Sequence, residues 1–264
     1  MRKLGINLHA SKGLSDEAWI KASAKAGFNA VFTGTYSPEK HVMLAELFAK
    51  HGVDYETIHA PFDGINDMWR ECDGSKVIVD KLLGAVDCCA AVNVPICVVH
   101  LSSGENAPPV TDFGRANFEK LVEYSMKKSV RIAFENQRKL ANIAWAFETF
   151  GKESGVGFCW DCGHEACFTP GRQYMPIFGD RLICTHIHDN TGIYNDDCHR
   201  LPFDGCVDFE HVARQIRESG FAGTLMLEVA ASKSEVYNDV SPEVYLEKAA
   251  KVARKLAEMV DLDA

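Results

Sequence analysis

The sequence predicts a (β/α)8 barrel, on three observations. Eight short apolar runs alternate with segments of helical period. Links from helix to strand are short, whereas several from strand to helix are long. Polar side chains able to bind metal recur at the downstream end of the runs. Strand and helix alternating eight times over roughly 250 residues is the barrel pattern, and the loops after its strands carry the chemistry.

The eight runs are KLGINLH (3–9), NAVFTGT (29–35), YETIHAPF (55–62), PICVVHL (95–101), RIAFENQ (131–137), VGFCWDCGH (156–164), LICTHIHDN (182–190) and GTLMLEV (223–229). Continuous apolar runs of this length read as buried parallel strands. Helical segments begin at Ser15, Ser37 and Asp208, and a last helix is expected from about Ser241 to Val260. Ser15 and Ser37 supply capping hydroxyls, and Pro38 suits a first helical turn. Gly27, Gly52, Gly155 and Gly220 each precede the next strand, where a left-handed cap ends a helix. No linker or low-complexity stretch interrupts the alternation, so residues 1–264 are expected to form a single domain. The rival architecture is an open doubly wound sheet.

Composition narrows the function classes. Of 264 residues, 47% are hydrophobic and 25% charged, ordinary for a globular protein. A formal charge of −9 gives no electrostatic reason to expect nucleic acid or membrane as partner. The N-terminal stretch lacks a long apolar segment and charges break every other apolar run, so a cytoplasmic protein is expected. The ten cysteines include Cys97, Cys159 and Cys184 inside strand-like runs, which reads as small buried hydrophobes in a reducing compartment.

The downstream ends of the runs carry His9, His59, His100, Glu135, Asp161 with His164, His186 with His188, and Glu228. A carboxylate or imidazole buried in an apolar strand costs several kcal/mol unless paired or bound to a metal. Residues two apart share a face of a strand, so Ala133 points with Glu135, Cys159 with Asp161, Cys184 with His186 and Met226 with Glu228. Each polar residue then tops an apolar layer. Glu135, Asp161, His186 and Glu228 form a mixed nitrogen and oxygen donor set suited to Mn, Co, Zn or Fe, with a salt-bridge network as the alternative. His59, His100, His164, His188, Asp197, His199 and Arg200 are candidates for substrate binding or additional metal. Cys159 and Cys162 form a CxxC, which could share zinc only if the strand ended before Cys162, so packing cysteines are expected. His41, His51 and His211 fall on helices and are expected at the surface.

The stretches HAPF, VVHLSSG, IAFENQ, CWDCGH, THIHDN, DDCHRLPFDGCVDF and LMLEV resemble the xylose isomerase-like barrel superfamily of sugar and sugar-phosphate isomerases and epimerases, with endonuclease IV among its members. The resemblance runs from residue 59 to 229. It implies that Glu135, Asp161, His186 and Glu228 match the shared metal ligands; His186 fits the family histidine because Asp189 completes a His-x-x-Asp motif. It also implies that Glu135 and Glu228 exchange a proton on opposite faces of a substrate carbon through an enediolate. Enzymes similar to tagatose 3-epimerase carry a glutamate and an arginine where this chain has Ala141 and Gly192, leaving Arg200 as a candidate substitute. Endonuclease IV is resembled also at His59, His100, His164, Asp197 and His199, which would complete a trinuclear zinc site.

The expected activity is a metal-dependent sugar or sugar-phosphate isomerase or epimerase acting on a small molecule. A zinc phosphodiesterase, a metal-dependent dehydratase or lyase, and a non-catalytic sugar-binding barrel are the alternatives, and a homo-oligomer is left open. Trp69 and Arg70 stand out in an otherwise acidic loop, DGINDMWRECDG, that offers little for wedging into DNA.

Overall fold

The computed structural model describes residues 2–262. Its strands are β1 (Leu4–Asn7), β2 (Ala30–Gly34), β3 (Asp54–His59), β4 (Ile96–His100), β5 (Arg131–Glu135), β6 (Gly157–Asp161), β7 (Leu182–His186) and β8 (Leu225–Leu227). The helices are α1 (Asp16–Ala26), α2 (Pro38–Lys50), α3 (Asp73–Ala91), α4 (Asp112–Lys127), α5 (Leu140–Thr149), α6 (Cys162–Phe168), α7 (Met175–Phe178), α8 (Phe209–Glu218) and α9 (Pro242–Val260). The strands follow the order β7-β6-β5-β4-β3-β2-β1-β8 in one sheet. A parallel bridge from Ile187 to Leu227 joins the two ends of that order. A parallel sheet so joined, with helices between its strands, is a (β/α)8 barrel. Among the described residues, no helix is long and apolar enough to cross a membrane.

The chain forms two compact units, neither contiguous in sequence. One comprises residues up to Phe32, Met43–Tyr55 and everything from Trp160; the other comprises Thr33–Val42 and Glu56–Cys159. In the first unit, β1 lies between β2 and β8, with Ile6 opposite Val31 and Leu227. In the second, β4 pairs β5 along its whole length, which sets His100 directly opposite Glu135. Two polar strand ends are thus brought side by side by register alone.

Local signals explain most boundaries. Ser15 Oγ accepts the Ala18 N–H and Ser37 Oγ accepts the Lys40 N–H, so both hydroxyls cap their helices. Gly27, Gly52, Gly155 and Gly220 all have positive φ, the conformation expected of a glycine that ends a helix. The strands are shorter than the apolar runs. The run at 156–164 ends as strand at Asp161, whose Oδ1 accepts the His164 N–H at 2.6 Å and starts α6. A capping carboxylate outcompetes apolar continuity there.

One expectation needs correction. His41 is not a surface residue but fully buried, its Nε2 accepting the Tyr36 N–H at 2.9 Å. His51 and His211 are half-buried, each keeping part of its side chain at the surface. Trp69 is a core residue: its Nε1 donates to Leu101 O, and its ring packs on Phe118 and Trp145. A tryptophan with a reachable carbonyl gains more from burial than from solvent exposure in a loop.

Burial lowers the pKa of His41. Below its ordinary value of about 6.5 the unfolded chain takes up a proton that the folded chain declines, so stability is full above that pH and falls beneath it. Replacing His41 by Gln should flatten the loss of stability between pH 7 and pH 5, the wild type declining relative to the variant by up to about 1.4 kcal/mol per pH unit. Urea unfolding at several pH values measures it; parallel curves would refute the assignment.

Candidate metal centre

Three strands of the second unit contribute one donor set. His59 ends β3, His100 ends β4 and Glu135 ends β5. His59 Nε2 lies 3.1 Å from Glu135 Oε2 and 3.2 Å from His100 Nε2, and His100 Nε2 lies 3.3 Å from the same carboxylate oxygen. His59 Nδ1 is 2.8 Å from Ala60 O; because a carbonyl only accepts, Nδ1 carries the proton, and Nε2 is left to face the carboxylate. An imidazole fixed to a backbone carbonyl through its other nitrogen is a common way of orienting a metal ligand. All three residues are buried.

Two further residues of this unit belong to the set although sequence reasoning did not single them out. Gln137, buried, brings its Nε2 to 3.3 Å from His100 Nε2. Phe62 stacks on the His100 ring at 4.6 Å while remaining 49% exposed. Both stood within quoted motifs, IAFENQ and HAPF, but a glutamine and a phenylalanine carry no metal-binding signal of their own.

In the first unit, Asp161 ends β6, His186 ends β7 and Glu228 follows β8. His186 Nδ1 lies 3.0 Å from Glu228 Oε2, and its ring stacks on Phe32 at 4.6 Å. Asp161 and His186 are completely buried. Glu228 keeps 17% of its side chain exposed, although the oxygen that faces His186 is buried.

A second group stands in the same unit. His164, His188, Asp197 and His199 each offer a ligand atom, and these atoms lie within 4.8 Å of one another. His199 Nδ1 donates to Glu228 O at 2.8 Å, which leaves Nε2 facing Asp197 Oδ2 at 2.8 Å. His188 stacks on His199 with ring centroids 4.1 Å apart and planes 6° from parallel. His188 Nε2 comes within 3.1 Å of Asp161 Oδ1 and 3.6 Å of Asp197 Oδ1. Yet neither His188 ring nitrogen nor Asp197 Oδ1 has a hydrogen-bond partner among the described residues. Buried polar atoms this close without hydrogen-bond geometry are what a cation would satisfy, and nitrogen and oxygen donors fit a divalent ion.

The charges of this group support one another. Burial alone would lower the pKa of His188, but Asp161 and Asp197 outweigh it and hold the imidazole above its ordinary value. Burial alone would raise Asp197, but nearby His164, a hydrogen bond from His199 and the charges of His199 and His188 keep its carboxyl well below the ordinary range.

The dipeptide Asp189-Asn190 holds this arrangement. Both residues are fully buried. Asp189 Oδ1 accepts the Asn190 and Val207 N–H groups at 2.8 and 2.9 Å, and Oδ2 accepts the Gly205 N–H at 2.9 Å. Its backbone pairs with Arg200 in an antiparallel bridge. Asn190 Nδ2 donates to Gly163 O at 2.8 Å, while its Oδ1 accepts the Cys198 N–H at 3.0 Å. One side chain thus ties the turn before His164 to the segment carrying Asp197 and His199. Gly163 must lack a side chain, since a Cβ there would come 2.1 Å from the His188 ring.

Other candidates lie elsewhere. Arg200 donates from Nη1 to Asp204 O, at 3.3 Å. His9, at the end of the first run, pairs with Asp16 Oδ1 at 2.7 Å. Cys162 follows the last residue of β6, and its Sγ approaches His188 O at 3.7 Å. A cavity of about 310 Å³ lined by Trp160, Glu165, Arg172, Cys206 and His211 contains none of the candidate donors.

A family profile described as xylose isomerase-like TIM barrel matches residues 20–258. The chain belongs to that family. The protein y4fM of Sinorhizobium fredii is 30% identical over 206 residues, 73% of this chain, and the match spans 63% of that relative's length. Among solved structures, D-psicose 3-epimerase with D-tagatose from Clostridium cellulolyticum H10 superposes with a TM-score of 0.77 at 13% identity, covering 98% of this chain and 99% of that one. The IolI protein with a bound zinc atom superposes with a TM-score of 0.73 at 18% identity, covering 98% of each chain. At these identities the likeness is one of fold.

Replacing Asn190 by Ala should destabilise the protein by about 1 to 2 kcal/mol, because buried Gly163 O loses a donor and Cys198 N–H is left with Asp196 O as its acceptor. Denaturant unfolding tests this. A cost below about 0.5 kcal/mol would mean that water or other groups replace both contacts.

Proposed function

We propose that this chain is a divalent-metal-dependent isomerase or epimerase acting on a small sugar-like or sugar-phosphate molecule. Glu135, Asp161, His186 and Glu228 hold the ion, and Glu135 and Glu228 act as the acid/base pair. The observation that carries the reading is the close approach of His186 to Glu228, 3.0 Å apart at the ends of consecutive strands, the histidine completely buried. It is supported by the match of these four residues to the family's motif positions, and by solved relatives of the same fold that are sugar epimerases or hold zinc.

The chemistry follows from the side chains. When bound, the ion supplies Lewis acidity to substrate oxygens. Buried Asp161 and His186 orient and balance charge. Glu228, partly exposed, is placed to take or return a proton at the carbon beside a carbonyl. Glu135 performs the complementary transfer, with His59 and His100 beside its carboxylate to hold it in orientation. Phe62 stacks over the His100 ring and meets His59 edge-on, an apolar face beside these two imidazoles.

A second reading, a zinc phosphodiesterase of the endonuclease IV kind, is favoured by one observation: His164, His188, Asp197 and His199 offer donors for a further ion. Trp69 lends it no help, being packed in the core.

Incubation in D₂O with a panel of sugars and sugar phosphates should place deuterium at one substrate carbon. Chelation should abolish the exchange, and Mn, Co, Zn or Fe should restore it. Glu135→Gln and Glu228→Gln should each lower the exchange rate by about 10²- to 10⁴-fold. Absence of exchange across the panel by metal-loaded protein, together with nicking of abasic duplex DNA, would replace this reading with the second. Counting ions in protein purified without added metal separates them further: one ion per chain fits the isomerase, three zincs the phosphodiesterase.

A further inference from the structure

The segment after β8 brings an ammonium group onto the second donor group. Ala230 N–H donates to His199 O at 2.9 Å, and Ala231 N–H donates to Ala10 O at 2.8 Å. A single helical turn, Ala231–Lys233, follows. That turn places Lys233 Nζ 3.3 Å from Asp197 Oδ2 and 3.2 Å from Asp197 O. Asp197 Oδ2 is the same oxygen that faces His199 Nε2 at 2.8 Å and His164 Nε2 at 3.8 Å. The cation expected from the sequence at this rim was Arg200, whose guanidinium reaches Asp204 O instead. Lys233 is therefore the basic side chain that meets Asp197, and it was not singled out in the sequence.

We propose that Lys233 competes with a divalent ion for Asp197, so that its ammonium disfavours ion binding by His164, Asp197 and His199 and biases the protein toward a single ion. The inference rests on the metal-dependent reading above and concerns only the second group. An ammonium and an ion drawing on one carboxylate oxygen would stand a few ångströms apart with like charge, so the ion binds only once Lys233 has left. Lys233 is 46% exposed and can swing into water. The penalty to the ion is then limited to about the worth of a half-exposed pair plus residual repulsion, which corresponds to a five- to tenfold change in affinity.

Calorimetric titration of chelator-stripped protein with Zn²⁺, and with Co²⁺ followed by visible absorption, tests this. The proteins compared are wild type, Lys233→Met, Lys233→Arg and Asp197→Asn. Lys233→Met keeps the length of the stem and removes the charge. It should bind the second ion about five- to tenfold more tightly than wild type, with the first ion unchanged. Lys233→Arg should behave like wild type, and Asp197→Asn should lose the second ion selectively. A second-ion affinity in Lys233→Met within twofold of wild type, or no second ion in any protein while the first binds, would overturn the inference and leave the metal-dependent reading intact. Binding of no ion by any of the four proteins would overturn both.

Discussion

Nitrogen and oxygen lone pairs packed together out of water repel one another and cost free energy unless a proton or a cation stands between them. That constraint governs the whole rim of this protein. In the second unit, two imidazole nitrogens and a carboxylate oxygen converge within 3.1 to 3.3 Å. In the first, His188 lies close to two aspartates without a hydrogen bond to either. Both clusters are costly as bare protein and favourable once a charge is supplied. The apolar layers beneath, built by alternation along each strand, deepen that cost by keeping water from the strand ends.

The fold maintains the clusters by two means. Strand register acts where strands pair directly, as for His100 opposite Glu135. Loop hydrogen bonding acts where no strand continues. Asp189 gathers three backbone N–H groups, and Asn190 links the β6–α6 turn to the segment bearing Asp197 and His199. His199 itself has a positive φ of 44°, which a non-glycine residue holds only when its surroundings dictate it. Its carbonyl and its Nδ1 are both engaged, so the imidazole has little freedom. Rigid placement of this kind is what a metal or substrate site requires.

Fold class was legible because its signals are local and repeated. Buried strands leave continuous apolar runs, and glycine at 27, 52, 155 and 220 marks the chain reversals, each with positive φ. The strand-end donors were legible for a related reason. A glutamate at 135 or an aspartate at 161 is too costly in an apolar run to be there without a partner. Where local signals compete, boundaries moved: the run through 164 reads as strand by hydropathy, yet Asp161 caps a helix. His41 was misplaced because helical position alone says nothing of a neighbouring N–H in need of an acceptor.

By itself the sequence determined the barrel and the residue types able to bind an ion, through hydropathy period and the cost of burying charge, and it carried the family only as a resemblance of the strand-end motifs. Only the tertiary structure decided the company those residues keep. Gln137 and Phe62 join the His100 group, Arg200 turns away to Asp204, and Lys233 reaches Asp197 across 36 residues of chain. Such contacts depend on loop path and side-chain direction. Both are set by hydrogen bonds between distant segments, and these leave no period in the sequence.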